Sequence, residues 1–174
     1  MTFPAIHLAA LGICLLAAAV WDVARRKIPN ALTALAAALG IAAQAIHGGA
    51  LGALSGVAAG VLTIAILYKA WLAGGIGGGD VKLAAAGAIW IGLGRPFLVF
   101  ALATALAGGG VAAVCYLLSG RSARRQIQAN LTSAAILQEL PVIQRESGAA
   151  RVSVPYGIAV AVGTMVALCG PWGR

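Results

Sequence analysis

Gly74-Gly75-Ile76-Gly77-Gly78-Gly79-Asp80-Val81-Lys82 is the stretch on which the reading of this chain turns, because five glycines lead into a carboxylate with a long apolar run on either side. Only one other aspartate exists in the sequence, Asp22, which closes the first apolar run within Trp21-Asp22-Val23-Ala24-Arg25-Arg26-Lys27-Ile28-Pro29-Asn30. An ionisable side chain at bilayer depth is expensive and marks a functional site by default. Both aspartates are therefore candidates for the chemistry of the protein.

The frame around them is a membrane. Of 174 residues, 61% are hydrophobic and 9% charged, and the mean hydropathy is +0.98, which excludes an ordinary soluble domain. Gly and Ala, more than aromatic residues, fill the apolar runs, as suits closely packed membrane helices. A spanning helix needs about 20 mostly apolar residues. On that measure the chain is all-α, a single membrane-embedded domain over 1–174, with six segments at about 4–22, 31–47, 50–72, 81–94, 97–118 and 154–170. Residues 3–20 read as a retained signal anchor, since the charges follow the apolar run and do not precede it.

The formal charge of +8 comes from short basic clusters between apolar runs, the mark of topology and not of a nucleic-acid face. Ten of the 12 Lys and Arg residues fall on one side of the six-segment layout, leaving Arg95 and Arg174 on the other. The positive-inside rule then makes the ten cytoplasmic, places both termini outside and turns both aspartates toward the cytoplasm. The long connection of about 119–153 carries apolar residues at near-helical spacing among Arg124, Arg125, Gln126 and Gln128. An amphipathic helix on the membrane surface is expected there.

Between Leu83 and Leu93 the fourth segment has 11 apolar residues, about 16 Å of helix against a hydrocarbon core of about 30 Å. The glycine stretch before it must sit at membrane depth, where irregular backbone survives only if protein buries it or water reaches it. A partly hydrated cavity around Asp80 is the expectation. Gly77, Gly78 and Gly79 permit backbone conformations closed to other residues and leave room for an extended peptide to approach. Ile28-Pro29-Asn30 reads as a stop and restart, with Asn30 capping the next segment.

Two carboxylates brought together can share one proton, one acting as base on water while the other donates to a carbonyl oxygen, which is aspartyl-type amide hydrolysis. That chemistry requires no metal and no cofactor. His7 and His47 lie near the outer ends of segments, and Cys14, Cys115 and Cys169 stand singly in apolar runs, so no zinc-ligand cluster is readable. The glycine stretch departs from the dinucleotide and phosphate-loop patterns. Asp22 ends a helix, where the dipole disfavours negative charge, and Asp80 precedes one, where it is favoured; on this reading Asp22 holds the shared proton and Asp80 acts as base. Lys82, one turn or less from Asp80, either favours that acid's charge or anchors the cytoplasmic boundary.

The D-x5-I-P-N arrangement from Asp22 to Asn30, G-x-G-D-x-K from Gly77 to Lys82, and Val154-Pro155-Tyr156-Gly157 before the last segment together resemble the type IV prepilin peptidase family, aspartic membrane proteases with a G-x-G-D signature. The match is to the short form associated with tight-adherence pili and covers essentially the whole chain. The resemblance implies cleavage of the short basic leader of prepilins and pseudopilins at the cytoplasmic face of the bacterial inner membrane, with Asp22 and Asp80 as the catalytic pair. Ile28, Pro29, Asn30, Gly77, Gly78, Gly79, Lys82, Pro155, Tyr156 and Gly157 would shape the site. Its partners would be those substrates, membrane lipid and the pilus or secretion machinery. Longer members also N-methylate the mature pilin and carry a cytoplasmic insertion with paired cysteines; this chain has neither, and no methyltransferase activity is expected. Two other classes stay open on the residues alone: a proton-coupled transporter using the same carboxylates as a relay, and a non-catalytic scaffold in a secretion assembly.

Overall fold

The computed structural model describes residues 3–25, 27–72, 76–118, 120 and 156–171. They form five helices, α1 (Ala5–Arg25), α2 (Asn30–Leu72), α3 (Gly78–Ile91), α4 (Arg95–Leu118) and α5 (Tyr156–Cys169), and no strand occurs among the described residues. Helices α1, α2 and α4 are long and apolar enough to cross a membrane, and α5 is a shorter apolar helix of 14 residues. Large apolar side chains such as Ile6, Leu51, Leu102 and Leu118 lie on the outside. Their number defines a lipid-facing surface, because a water-facing one of this kind would drive aggregation.

The 43 residues of α2 are not one rod. Gly49 takes φ 62°, ψ −157°, a backbone conformation that an L side chain rarely adopts. Beyond it, a Cβ built on Gly52 would lie 2.6 Å from the Gln44 carbonyl, and one on Gly56 would lie 3.3 Å from the Gln44 side chain. Twelve residues along a straight helix span about 18 Å, so α2 folds back on itself into two arms, 30–48 and 50–72. The turn falls between the second and third segments expected from hydropathy.

Helix α3 is the centre of the bundle. Its residues Val81, Leu83, Ala84, Ala85, Ala86, Gly87, Ala88 and Trp90 are buried on every side, the condition of a helix that is apolar all round. Small residues let its neighbours come close: a Cβ on Gly56 would meet the Ile89 carbonyl at 2.6 Å, one on Gly60 the Ile89 side chain at 2.8 Å, and one on Gly87 the Thr164 hydroxyl of α5 at 2.5 Å. Polar groups near the end of α3 are matched. Trp90 Nε1 donates to Ala36 O at 2.8 Å, and Gln44 Nε2 donates to Trp90 O at 2.9 Å, satisfying the end of α3. Replacing Trp90 with Phe keeps most of the packing and removes the indole donor; thermal unfolding in detergent is expected to show a loss of about 1–2 kcal/mol.

The expected amphipathic helix within 119–153, together with Gly74, Gly75 and Pro155, lies outside the described residues.

Candidate active site

Asp22 enters the interior by helical spacing. Leu11, Cys14, Leu15, Ala18 and Asp22 are the buried residues of α1 and form one stripe along it. The carboxyl thus occupies the next turn of a core-facing row and is 7% exposed. There it accepts a buried hydrogen bond from the Gly157 backbone N–H to Oδ2, at 3.1 Å. Because α5 starts at Tyr156, this amide is one of the first-turn donors that a helix leaves free. A Cβ on residue 157 would sit 3.2 Å from Oδ2 and 3.3 Å from Asp22 Cβ, so glycine admits the acid to the helix end.

Asp80 is held differently. It is the third residue of α3, with Gly77 as N-cap at φ −68°, ψ 141°, and its carboxyl turns back on the Gly77 backbone amide in the manner of a capping box. It is 9% exposed. Its Oδ1 is buried and finds no hydrogen-bond partner among the described residues. The Asp22 carboxyl of α1 lies within electrostatic reach of Asp80.

The glycines work by size and not by unusual dihedrals, which revises one expectation. Among the described residues positive φ occurs at Gly49, Gly92 and Gly94; Gly77 is extended, and Gly78 and Gly79 are helical. A Cβ on Gly77 would meet Asp80 Oδ2 at 2.7 Å, and one on Gly79 would meet Ile28 Cβ at 3.1 Å. Ile28, itself buried, is the seat on which the start of α3 rests. Gly78 faces the edge of the Trp71 ring, Nε1 lying 3.1 Å from a built Cβ.

Asn30 begins α2, while the Pro29 carbonyl accepts from Leu32 N at 3.1 Å and Thr33 N at 3.3 Å. Instead of acting as a cap, the Asn30 side chain accepts from Lys82 Nζ at 2.9 Å through Oδ1. Lys82 therefore ties the start of α2 to α3 on the exposed side. Arg25 lies over the Trp21 ring, 5.0 Å from its centroid. Neither carboxyl has a cation partner among the described residues.

Asp80 opens into a cavity of about 390 Å³ between the second arm of α2, α4 and α5, lined by Thr63, Ile76, Phe97, Phe100, Thr104 and Tyr156 among others. That volume suits one or two side chains of a peptide, in surroundings almost wholly apolar. Tyr156 is half-buried and its ring packs on Gly108 of α4, where a Cβ would lie 3.2 Å from the ring. A larger cavity of about 630 Å³, lined by Gln44, Ser55, Leu93 and Cys169, holds neither acid. The histidines pack against each other with Phe3, ring centroids 5.0 Å apart for His7 and His47, remote from the carboxyls as expected.

Sequence reasoning missed Thr104 and Gly108. Thr104 is a lone hydroxyl in an apolar run, a signal too common to single out, although its Oγ1 is buried without a partner among the described residues. Gly108 belongs to Gly108-Gly109-Gly110, which composition alone assigns to helix packing.

The described residues form an apolar helical bundle with two buried carboxyls, one of which, Asp80, lines an apolar cavity. A model of the type IV leader peptidase family matches residues 9–113, more than half of the chain and a span that includes Asp22 and Asp80. The chain belongs to that family and is of the peptidase class. It matches no curated protein and no solved structure.

Proposed function

We propose that this protein is a membrane aspartic endopeptidase that removes the leader of type IV prepilins or pseudopilins at the cytoplasmic face of the bacterial inner membrane. The observation that carries the reading is the burial of the only two aspartates of the sequence within electrostatic reach of each other, one of them, Asp80, lining an apolar cavity. Family membership supports the substrate class. The arms of α2, at 19 and 23 residues, are about 28 and 34 Å long, each enough for a membrane crossing; this supports the proposed six-span layout, in which the basic clusters and the acids would share the cytoplasmic side.

In this mechanism one carboxylate takes a proton from water as its oxygen attacks the scissile carbonyl carbon, and the other carboxyl gives its proton to the carbonyl oxygen. The gem-diol then collapses: the first acid passes its proton to the leaving nitrogen, the C–N bond breaks, and a hydroxyl proton returns to the second. Both acids end as they began. The apolar cavity receives side chains beside the scissile bond and keeps bulk water from the carboxyls.

The test is cleavage of a purified prepilin by the purified protein in lipid nanodiscs, with product N-termini sequenced and EDTA present throughout. One cut immediately before the hydrophobic segment, at a rate indifferent to EDTA, is expected. Intact prepilin after incubation with folded protein, or proton flux across proteoliposomes in its place, would remove the reading.

A further inference from the structure

We propose that Gly157, through its backbone N–H, is the positioning residue that makes Asp22 the base of the pair and leaves Asp80 as the acid. This rests on the two-aspartate reading and assigns the roles within it.

The expectation from sequence gave Asp22 the proton because Asp22 ends α1. That end does not stand alone. The start of α5 abuts it, and Gly157 N–H meets Asp22 Oδ2 at 3.1 Å in a buried position. A helix N-terminus favours negative charge, and a hydrogen bond from a backbone amide to an ionised carboxylate is among the stronger kinds. The C-terminal field of α1 is thereby opposed at the carboxyl itself.

Asp80 also sits in the first turn of a helix, with the Gly77 amide on its carboxyl. The difference lies in its other oxygen. Asp80 Oδ1 is buried and lacks a hydrogen-bond partner among the described residues, and a bare anionic oxygen in such surroundings is strongly disfavoured. A protonated carboxyl there has an O–H to donate, and Asp80 lines the cavity into which a substrate carbonyl would come. Among the described residues, Asp22 and Tyr156 lie within electrostatic reach of Asp80.

The steps follow. Water loses its proton to Asp22 as its oxygen bonds to the carbonyl carbon, and Asp80 protonates the carbonyl oxygen. On collapse the Asp22 proton goes to the leaving nitrogen and a hydroxyl proton goes back to Asp80. Gly157 touches none of the reacting atoms; it fixes the oxygen of Asp22 that its N–H holds, leaving the other to face water.

Because the chain has two aspartates only, cell-free synthesis with carboxyl-13C aspartate labels these two groups and no other aspartate. Their resonances are assigned with Asp22→Asn and Asp80→Asn and then read in the wild-type protein in nanodiscs, where both acids are present. A neutral-carboxyl shift for Asp80 with an ionised shift for Asp22 is expected. Glycolic acid incorporated at position 157 replaces the N–H by an ester oxygen with almost no change in shape. It should move the Asp22 resonance toward the neutral-carboxyl position and the Asp80 resonance toward the ionised one, and lower kcat about 10-fold or more with KM within about twofold. A neutral shift on Asp22, one averaged shift for both, or an ester variant with unchanged Asp22 resonance and kcat would each overturn the assignment. The carboxyl signals need no substrate, so a protein that cleaves no prepilin would fail the proposed function and still report where its proton lies.

Discussion

Asp22→Asn and Asp80→Asn, introduced singly, are each expected to slow leader cleavage by about 10²–10⁴-fold, the range that a positioned acid or base supplies, while the protein remains folded. Asn is close to isosteric with Asp and keeps a carbonyl oxygen. At position 22 that oxygen can still accept from Gly157 N–H, and at position 80 the amide can still lie against the start of α3. What is lost is the ability to take or give a proton. The rates are read under single-turnover conditions with purified protein and prepilin, and the thermal transition of each variant is read alongside. A variant that unfolds tens of degrees early would indicate a packing role for that acid. One that cleaves at the wild-type rate would remove it from the chemistry.

The second large effect concerns the glycines before Asp80, which are expected to be unequal. Gly79→Val should lower kcat by about 10²-fold, because its Cβ would lie 3.1 Å from Ile28 Cβ, an atom fixed to the backbone. The start of α3 must then shift, and Asp80 moves with it; a displacement near 1 Å at a reacting group has consequences of this size. Gly77→Ala should be nearly as harmful, since the new methyl would meet Asp80 Oδ2 at 2.7 Å. Gly78→Ala should stay within about threefold of wild type. Its neighbour is the edge of Trp71, a side chain 44% exposed and free to swing aside. Equal losses at all three positions would mean that backbone freedom, and not close approach, is what the glycines provide.

This inequality shows how far the sequence could be read. The spacing Gly77-x-Gly79-Asp80 marks the site, and the surrounding hydropathy places it at the end of a short helix. Whether those glycines serve φ/ψ or space could not be told, because both needs leave the same residue behind. Asp22 was legible as an acid closing an apolar run, and its stripe with Leu11, Leu15 and Ala18 follows from helical periodicity. Its partner was not. The bond from Gly157 crosses from the end of α1 to the start of α5, and local periodicity carries no information about which helix ends abut.

The same limit applied elsewhere. From Leu83 onward helix α3 is apolar on every face, so its pattern says that it is buried without saying against what. Asn30 fitted a capping role by local rules, yet Lys82 takes its oxygen from across the bundle. The fold-back of α2 was legible as a gap between two apolar runs, and the conformation of Gly49 accounts for it.

If the two acids act as one unit, their losses cannot multiply. The measurement that tests this most directly is the cleavage rate of a prepilin by the wild type, Asp22→Asn, Asp80→Asn and the double variant, followed by intact mass over days. The account predicts that the wild type removes the leader and that the double variant is no slower than the worse single one. A double variant slower by the product of the two single effects, or either single variant processing prepilin like the wild type, would contradict it.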